Sequence, residues 1–189
     1  MPILSCFNFI SLNGFYKGLR EDISWHRHGS EEGEFSAENA QRDSILLFGR
    51  VTYEMMYSFW PTEQAMATMP VVAEGMNRSE KIVFSRTLEK ADWNNTRVVQ
   101  HDIYTEVRKL KETGTKDMTI LGSGSIVSQL ADHGLIDLYS IMLDPVAIPY
   151  GTSIFHGVSK KLDLKLVSTR TFKSGVVLLN YEPLDSSMR

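Results

Sequence analysis

The chain has 189 residues, 42% of them hydrophobic and 23% charged, a balance that suits a globular fold with its own core and excludes a disordered polymer or a disulfide scaffold. A formal net charge of −3 gives no electrostatic case for nucleic acid, whose binding needs many Lys and Arg against phosphates. No stretch approaches the ~20 apolar residues of a membrane span, and Met1 to Leu12 has neither a basic start nor a small-residue cleavage site, so the cytoplasm is the expected compartment.

Pro2 to Ser11 reads as a first strand, rich in Phe and Ile and ended by the turn pair Asn13-Gly14. Cys6, the lone cysteine, falls in this apolar run and reads as a buried core thiol. From Phe15 to about Glu34 no periodicity is visible, which predicts a long functional loop. Ser36 is expected to cap a short helix to about Asp43, ahead of the apolar run Ser44 to Gly49, which has the length of a buried parallel strand. Arg50 to Tyr57 reads as helix, and an irregular stretch through Phe59-Trp60-Pro61 leads to a helix around Val71 to Asn77 and a strand at Lys81 to Ser85.

After the turn-rich Asp92-Trp93-Asn94-Asn95, Thr96 to Gln100 forms a short strand. Asp102 is a cap for a helix whose Ile103, Val107 and Leu110 make one apolar stripe ending near Gly114. Met118 to Leu121 is a strand, Ser125 to Ala131 a helix stopped by Gly134, and Ile136 to Leu143 a further strand. Leu162 to Phe172 and Val176 to Tyr181 read as two long strands joined around Lys173-Ser174-Gly175. The alternation predicts an α/β fold, a mostly parallel mixed sheet flanked by helices with a C-terminal antiparallel hairpin, in one domain over residues 1–183 with a flexible polar tail at 184–189.

In three places a buried strand runs straight into a small-residue or Arg cluster: Leu46-Leu47-Phe48 into Gly49-Arg50-Val51-Thr52, Ile82-Val83-Phe84 into Ser85-Arg86-Thr87, and Thr119-Ile120-Leu121 into Gly122-Ser123-Gly124-Ser125. Ligands of open α/β sheets sit outside the carboxyl ends of the strands, where helix N-termini favour anions. Gly122 and Gly124 let a phosphate approach the backbone, and Arg50 and Arg86 offer guanidinium groups to a further phosphate. Together they point to a dinucleotide with an extra phosphate. Each segment alone also fits a simple tight turn, Arg50 and Arg86 each also fit a solvated surface arginine or a local salt bridge, and Val127 stands where the Rossmann fingerprint needs its third glycine.

The order and wording of these segments resemble a family. Gly49-Arg50-Val51-Thr52-Tyr53-Glu54 and Val83-Phe84-Ser85-Arg86-Thr87 are similar to dihydrofolate reductase segments, and the spacing to Gly122-Ser123-Gly124 agrees. Ile10-Ser11-Leu12-Asn13-Gly14, Phe59-Trp60-Pro61, and Gly134-Leu135-Ile136-Asp137 followed by Pro145 and Gly151 resemble the C-terminal reductase domain of the bifunctional deaminase-reductase of riboflavin biosynthesis, and especially its stand-alone bacterial relatives. The resemblance implies a dihydrofolate-reductase-like fold, NADP(H) as cofactor and a homodimer. It implies further that Gly49, Arg50 and Thr52 meet cofactor phosphate, that Ser85 and Arg86 face the 2′-phosphate region, and that Gly122, Ser123, Gly124, Ser125 and Ile126 line the pyrophosphate. Two departures stand out: Asn13 replaces the family's aspartate, and Ser123 interrupts the glycine triplet.

For the substrate side, Asn13, Trp25, Tyr53, Phe59 and Trp60 are candidates for the walls of a flat pocket suited to a planar heterocycle, with core packing the alternative for each aromatic. Glu34 and Glu38 read as a solvated helix face. His26-x-His28 lacks a third ligand nearby, so no metal site is expected. The function expected is NADPH-dependent hydride transfer to a small pterin-like or ribosylamino-pyrimidine-like substrate, with catalytic residues unassigned. The alternative is a nucleotide- or ligand-binding protein on the same fold that has lost catalysis.

Overall fold

The computed structural model describes residues 1–184. In chain order it contains β1 (Leu4–Ser11), β2 (Phe15–Lys17), α1 (Ser30–Ala40), β3 (Ile45–Gly49), α2 (Arg50–Phe59), α3 (Glu63–Thr68), α4 (Pro70–Arg78), β4 (Lys81–Phe84), β5 (Thr96–Val99), α5 (Ile103–Thr113), β6 (Met118–Leu121), α6 (Gly124–Asp132), β7 (Leu138–Asp144), β8 (Thr152–Ser153), β9 (Leu164–Thr171) and β10 (Val177–Pro183). Eight strands form one sheet in the order β5-β4-β3-β6-β1-β7-β10-β9, and β2 pairs with β8 in a small antiparallel ribbon. The six strands from β5 to β7 are parallel, while β10 runs antiparallel to β7 and to β9. This is the expected mostly parallel mixed sheet with its C-terminal antiparallel hairpin.

Strand alternation divides the core between the two faces. Leu47 of β3 packs in one cluster with Ile103 and Val107 of α5 and Ile126, Val127 and Leu130 of α6. Its neighbours Leu46 and Phe48 pack in the other, with Tyr53 of α2, Val72 and Met76 of α4 and the α1 alanines Ala37 and Ala40. A third cluster joins Phe35 of α1 to Phe7 and Phe9 of β1 and Leu178 of β10. So α1, α2 and α4 cover one face, and α5 and α6 cover the other. Among the described residues no helix is long and apolar enough to cross a membrane.

Several boundaries differ from the sequence reading. The first helix spans Ser30–Ala40 with Gly29 at its N-cap, so Ser36 lies inside it and caps nothing. Phe35, Ala37 and Ala40 set that register by burying one face, and Glu31 and Glu32 of the first turn reach Lys173 N and Ser174 Oγ of the C-terminal hairpin. The segment expected to be one long loop holds β2 and a 3-10 turn at Leu19–Glu21. α3 was not anticipated, although Thr62 accepts a capping bond from Ala65 N at 3.2 Å and is a legible start signal. The expected cap at Asp102 is present, accepting from Thr105 N at 2.9 Å. The tail expected at 184–189 lies, from 185 on, outside the described residues.

Cys6 is fully buried, and burial pushes its thiol up to about 12. The nucleophile is the thiolate, so we expect no labelling of the native protein by an aromatic disulfide reagent at pH 8 and stoichiometric labelling in denaturant; rapid native labelling would contradict the assignment of Cys6 to the core.

Candidate functional site

The three strand-end segments, far apart in sequence, come together in space. β4, β3 and β6 are consecutive in the sheet and parallel, with Gly49 in register with Phe84. Ser85-Arg86, Gly49-Arg50 and Gly122-Ser123-Gly124 therefore lie side by side along one carboxyl edge. The chain leaves β3 into α2 on one face and leaves β6 into α6 on the other, as it does from β1 into α1 on the first face. β6 thus lies between two strands whose connections depart on the opposite side, the arrangement that opens a crevice at the strand ends.

Local backbone chemistry builds the turn after β6. Gly122 (φ 58) and Ser123 (φ 54) are both left-handed, a conformation that costs a non-glycine residue roughly 1–2 kcal/mol. The Ser123 hydroxyl accepts from Gly49 N at 2.9 Å and is 5% exposed, so the strained residue ties β6 to β3. At Gly122 a Cβ would also stand 3.3 Å from Thr52 Cγ2. At Gly124 it would stand 2.9 Å from the Tyr16 ring, which packs over the turn from β2. The glycines and Thr52 are thus matched to close backbone approach.

Two helix N-termini meet here without a capping side chain. α2 begins at Arg50 behind Gly49 and α6 begins at Gly124 behind Ser123, and neither N-cap makes a side-chain cap bond. A Cβ on Gly49 would sit 3.6 Å from Ile126 Cγ1 and 3.8 Å from Ser125 Oγ, so the two starts are in contact. The first amides of each helix lack intrahelical partners and carry the positive end of its dipole. Arg50 adds a guanidinium, held by an exposed pair with Glu54 at 2.9 Å, which is weak enough for an anion to redirect it. Ser85 Oγ accepts from Leu88 N at 2.9 Å and shapes its turn, and Arg86 beside it is exposed. The donor set fits phosphate.

The expected substrate walls are more dispersed. Tyr53 is a correction: it is 3% exposed and belongs to the core, stacked on Tyr57 with its hydroxyl accepting from Trp93 N at 3.3 Å. Trp60 is half-buried against that cluster, its Nε1 donating to Met56 Sδ. Asn13 ties the turn after β1 to the segment before β8, donating to Ile148 O at 2.8 Å and accepting from Ile148 N at 3.2 Å. Trp25 donates to Asp22 O and meets His26 edge-on. Phe59 meets Trp60 edge-on. Glu34 and Glu38 are exposed on α1, as a solvated face requires.

The sequence did not show that four polar groups, His26, Asp144, Glu32 and Asn8, are buried near this edge. His26 Nδ1 lies 2.7 Å from Asp144 Oδ2 and its ring stacks on Phe9 with centroids 3.6 Å apart. Asp144, fully buried at the end of β7, also accepts from Arg27 N at 2.8 Å. His28 packs edge-on against His26, and burial together with that neighbour lowers its pKa. Glu32, 3% exposed, accepts from Ser174 Oγ. Asn8 is buried in β1, and the visible signal for it was an amide in the run Phe7-Asn8-Phe9.

Comparison with known proteins gives first the class: the fold is that of RibD-like reductase domains. A protein described as a candidate riboflavin biosynthesis protein of Shewanella sp. PV-4 superposes with a TM-score of 0.74 at 17% identity, over 96% of this chain and 99% of that one. RibD of Acinetobacter baumannii gives 0.71 at 13% identity, over 98% of this chain and 59% of that longer one. A pyrimidine reductase-like protein of Corynebacterium diphtheriae gives 0.65 at 12% identity, over 98% and 93%. At these identities the likeness is one of fold. The chain itself belongs to the RibD C-terminal domain family, which matches residues 2–178. It is 31% identical over 172 residues to the uncharacterized protein YyaP of Bacillus subtilis, covering 91% of this chain and 90% of YyaP. Membership places it among reductase-type domains.

Replacing Ser123 by Ala removes the acceptor of Gly49 N and keeps the left-handed strain, so a loss of about 1–3 kcal/mol in stability is expected. Ser123→Gly relieves the strain and should cost less. Thermal or urea unfolding of the two variants checks this, and a Ser123→Ala protein as stable as wild type would show that the bond does not hold the turn.

Proposed function

We propose that this protein is an NADPH-dependent reductase of a small heterocycle, pterin-like or ribosylamino-pyrimidine-like. The observation that carries the reading is the meeting of the two uncapped helix starts, α2 and α6, beside Arg50 and Arg86 on consecutive strand ends. Gly122, Ser123, Gly124, Ser125 and Ile126 would hold the pyrophosphate, Gly49, Arg50 and Thr52 would flank it, and Ser85 and Arg86 would face the 2′-phosphate. A reduced nicotinamide supplies a hydride when bound, and the protein's part is to orient it, exclude water and deliver a proton. His26, held by Asp144 and stacked on Phe9, attaches its segment to β7 and β1 and would wall the substrate side of the crevice. The RibD-like relatives described as riboflavin biosynthesis and pyrimidine reductase-like proteins support the substrate class.

The cytoplasm and a homodimer belong to the same proposal. In support of the second, the sheet ends at β9, an edge strand whose Leu166 and Val167 are about half exposed, a surface suited to a second copy. The rival reading, a binding protein without catalysis, is favoured by Asn13, which stands in place of the family's aspartate and is engaged with Ile148.

Calorimetry with NADPH and NADH, on wild type and on Arg50→Ala/Arg86→Ala at fixed salt, tests the cofactor assignment. We expect wild type to prefer NADPH and the double variant to lose that preference, by about tenfold or more for two charge-assisted contacts. Binding of neither nucleotide overturns the proposal. NADPH binding without oxidation above blank on any pterin or ribosylamino-pyrimidine establishes the rival.

A further inference from the structure

Both polar atoms of the Asn8 side chain, Oδ1 and Nδ2, are buried without a hydrogen-bond partner, and the residue is 2% exposed. Native proteins rarely leave a buried amide unpaired, because it forfeits its bonds to water and gains none in return. The sheet shows where this amide stands. β1 and β6 remain in register as far as Phe7 and Leu121, and the bond from Gly122 N to Phe7 O at 3.2 Å follows that last pair. Asn8 is the next residue of β1 and the first without β6 beside it, while on its other side it stays paired with Ile141 of β7. Alternation places its side chain with Leu4 and Cys6, on the face that carries α6. The orphan amide therefore sits at the notch where β6 turns away into Gly122-Ser123-Gly124 and α6 begins.

An Asn side chain offers an N–H donor and a carbonyl acceptor, the complement of another amide edge. The glycine turn and the bare start of α6 lie at the end of β6, one strand over, about 4.8 Å, and the bare start of α2 lies one strand further, at the end of β3. A nicotinamide nucleotide carries both groups, an amide edge on its ring and phosphates further along. Resting on the reading that this crevice takes NADPH, we propose that Asn8 hydrogen-bonds the nicotinamide carboxamide and so sets which way round the ring lies. The lactam edge of a pterin or pyrimidine has the same donor–acceptor chemistry, but the phosphate-binding turn adjoins the notch and favours the cofactor. In the free protein the amide destabilises the fold; in the complex it is paired. Removing it should therefore move stability and binding in opposite directions.

The experiment uses Asn8→Leu and Asn8→Ala, the second guarding against overpacking by the first. Thermal melting of the free proteins is combined with calorimetry for NADPH, for adenosine 2′,5′-bisphosphate, which has the phosphates without the nicotinamide, and for folate as the pterin probe. We expect at least one variant to melt a few degrees above wild type, NADPH affinity to fall about tenfold or more in both, and affinity for the bisphosphate to hold. Unchanged NADPH affinity overturns the proposal and leaves a buried water as the amide's partner, while the NADPH reading stands. Loss confined to folate overturns it in favour of the substrate lactam. Equal loss for the bisphosphate, or melting well below wild type in both variants, marks Asn8 as structural and also overturns it. A wild-type protein that binds no NADPH removes the underlying reading, an outcome distinct from all of these.

Discussion

β6 is four residues long and lies between β3 and β1, both of which send their chains to the face it does not use. At its carboxyl end the backbone has to part, and the polar groups released by that parting must be answered by something other than strand pairing. One answer is internal: Ser123 accepts left-handed geometry and receives Gly49 N across the gap. The rest is left open. The first amides of two helices lie at this edge, and the Asn8 side-chain amide is buried one strand over, beside the end of β6. Strain, bare helix ends and an orphan amide are separate costs that share one topological cause.

The chain caps helices where it has no use for their ends. Thr62 caps α3 and Asp102 caps α5, each with a side-chain oxygen on a backbone N–H. α4 opens on Pro70, which removes a donor, and α1 opens with Glu31 and Glu32 in its first turn. α2 and α6 have none of these devices, and they are the two whose starts touch across the crevice. A cap is worth about 1 kcal/mol per helix, so leaving both bare at one place costs stability that an anion bound there would restore.

Much of this was legible in the sequence, and the failures have physical reasons. A continuous apolar run such as Ile45–Gly49 identifies a buried parallel strand because both of its sides meet helices. Asp102 announces a helix because its carboxylate has one local job. Segments whose conformation depends on distant partners were not legible: α1 begins at Ser30 because its first turn engages Lys173 and Ser174, 142 residues away, and β2 exists because Thr152 and Ser153 lie beside it. The same logic separates the site residues. Gly49, Arg50, Gly122 and Gly124 show themselves by position at strand ends, whereas Tyr53, in an equally suggestive place, turns inward because the α2 stripe needs an aromatic against Trp93. His26 and Asp144 are 118 residues apart and become a pair only in three dimensions.

Coverings of the carboxyl edge are held mainly by polar bonds. His26 on Asp144, Asn13 on Ile148 and Glu32 on Ser174 each attach a connecting segment to the sheet end. The phosphate side, by contrast, is built from strand ends and helix starts, which the core fixes in place. Directional bonds hold a segment in one pose without demanding a large apolar footprint, so these connecting segments can change through a few side chains while the sheet and the turn after β6 stay as they are. With that division of labour the chain shares the fold of RibD-like domains at 12–17% identity, because the core-fixed strand ends define the fold and the polar attachments in segments 12–29 and 144–151 do not.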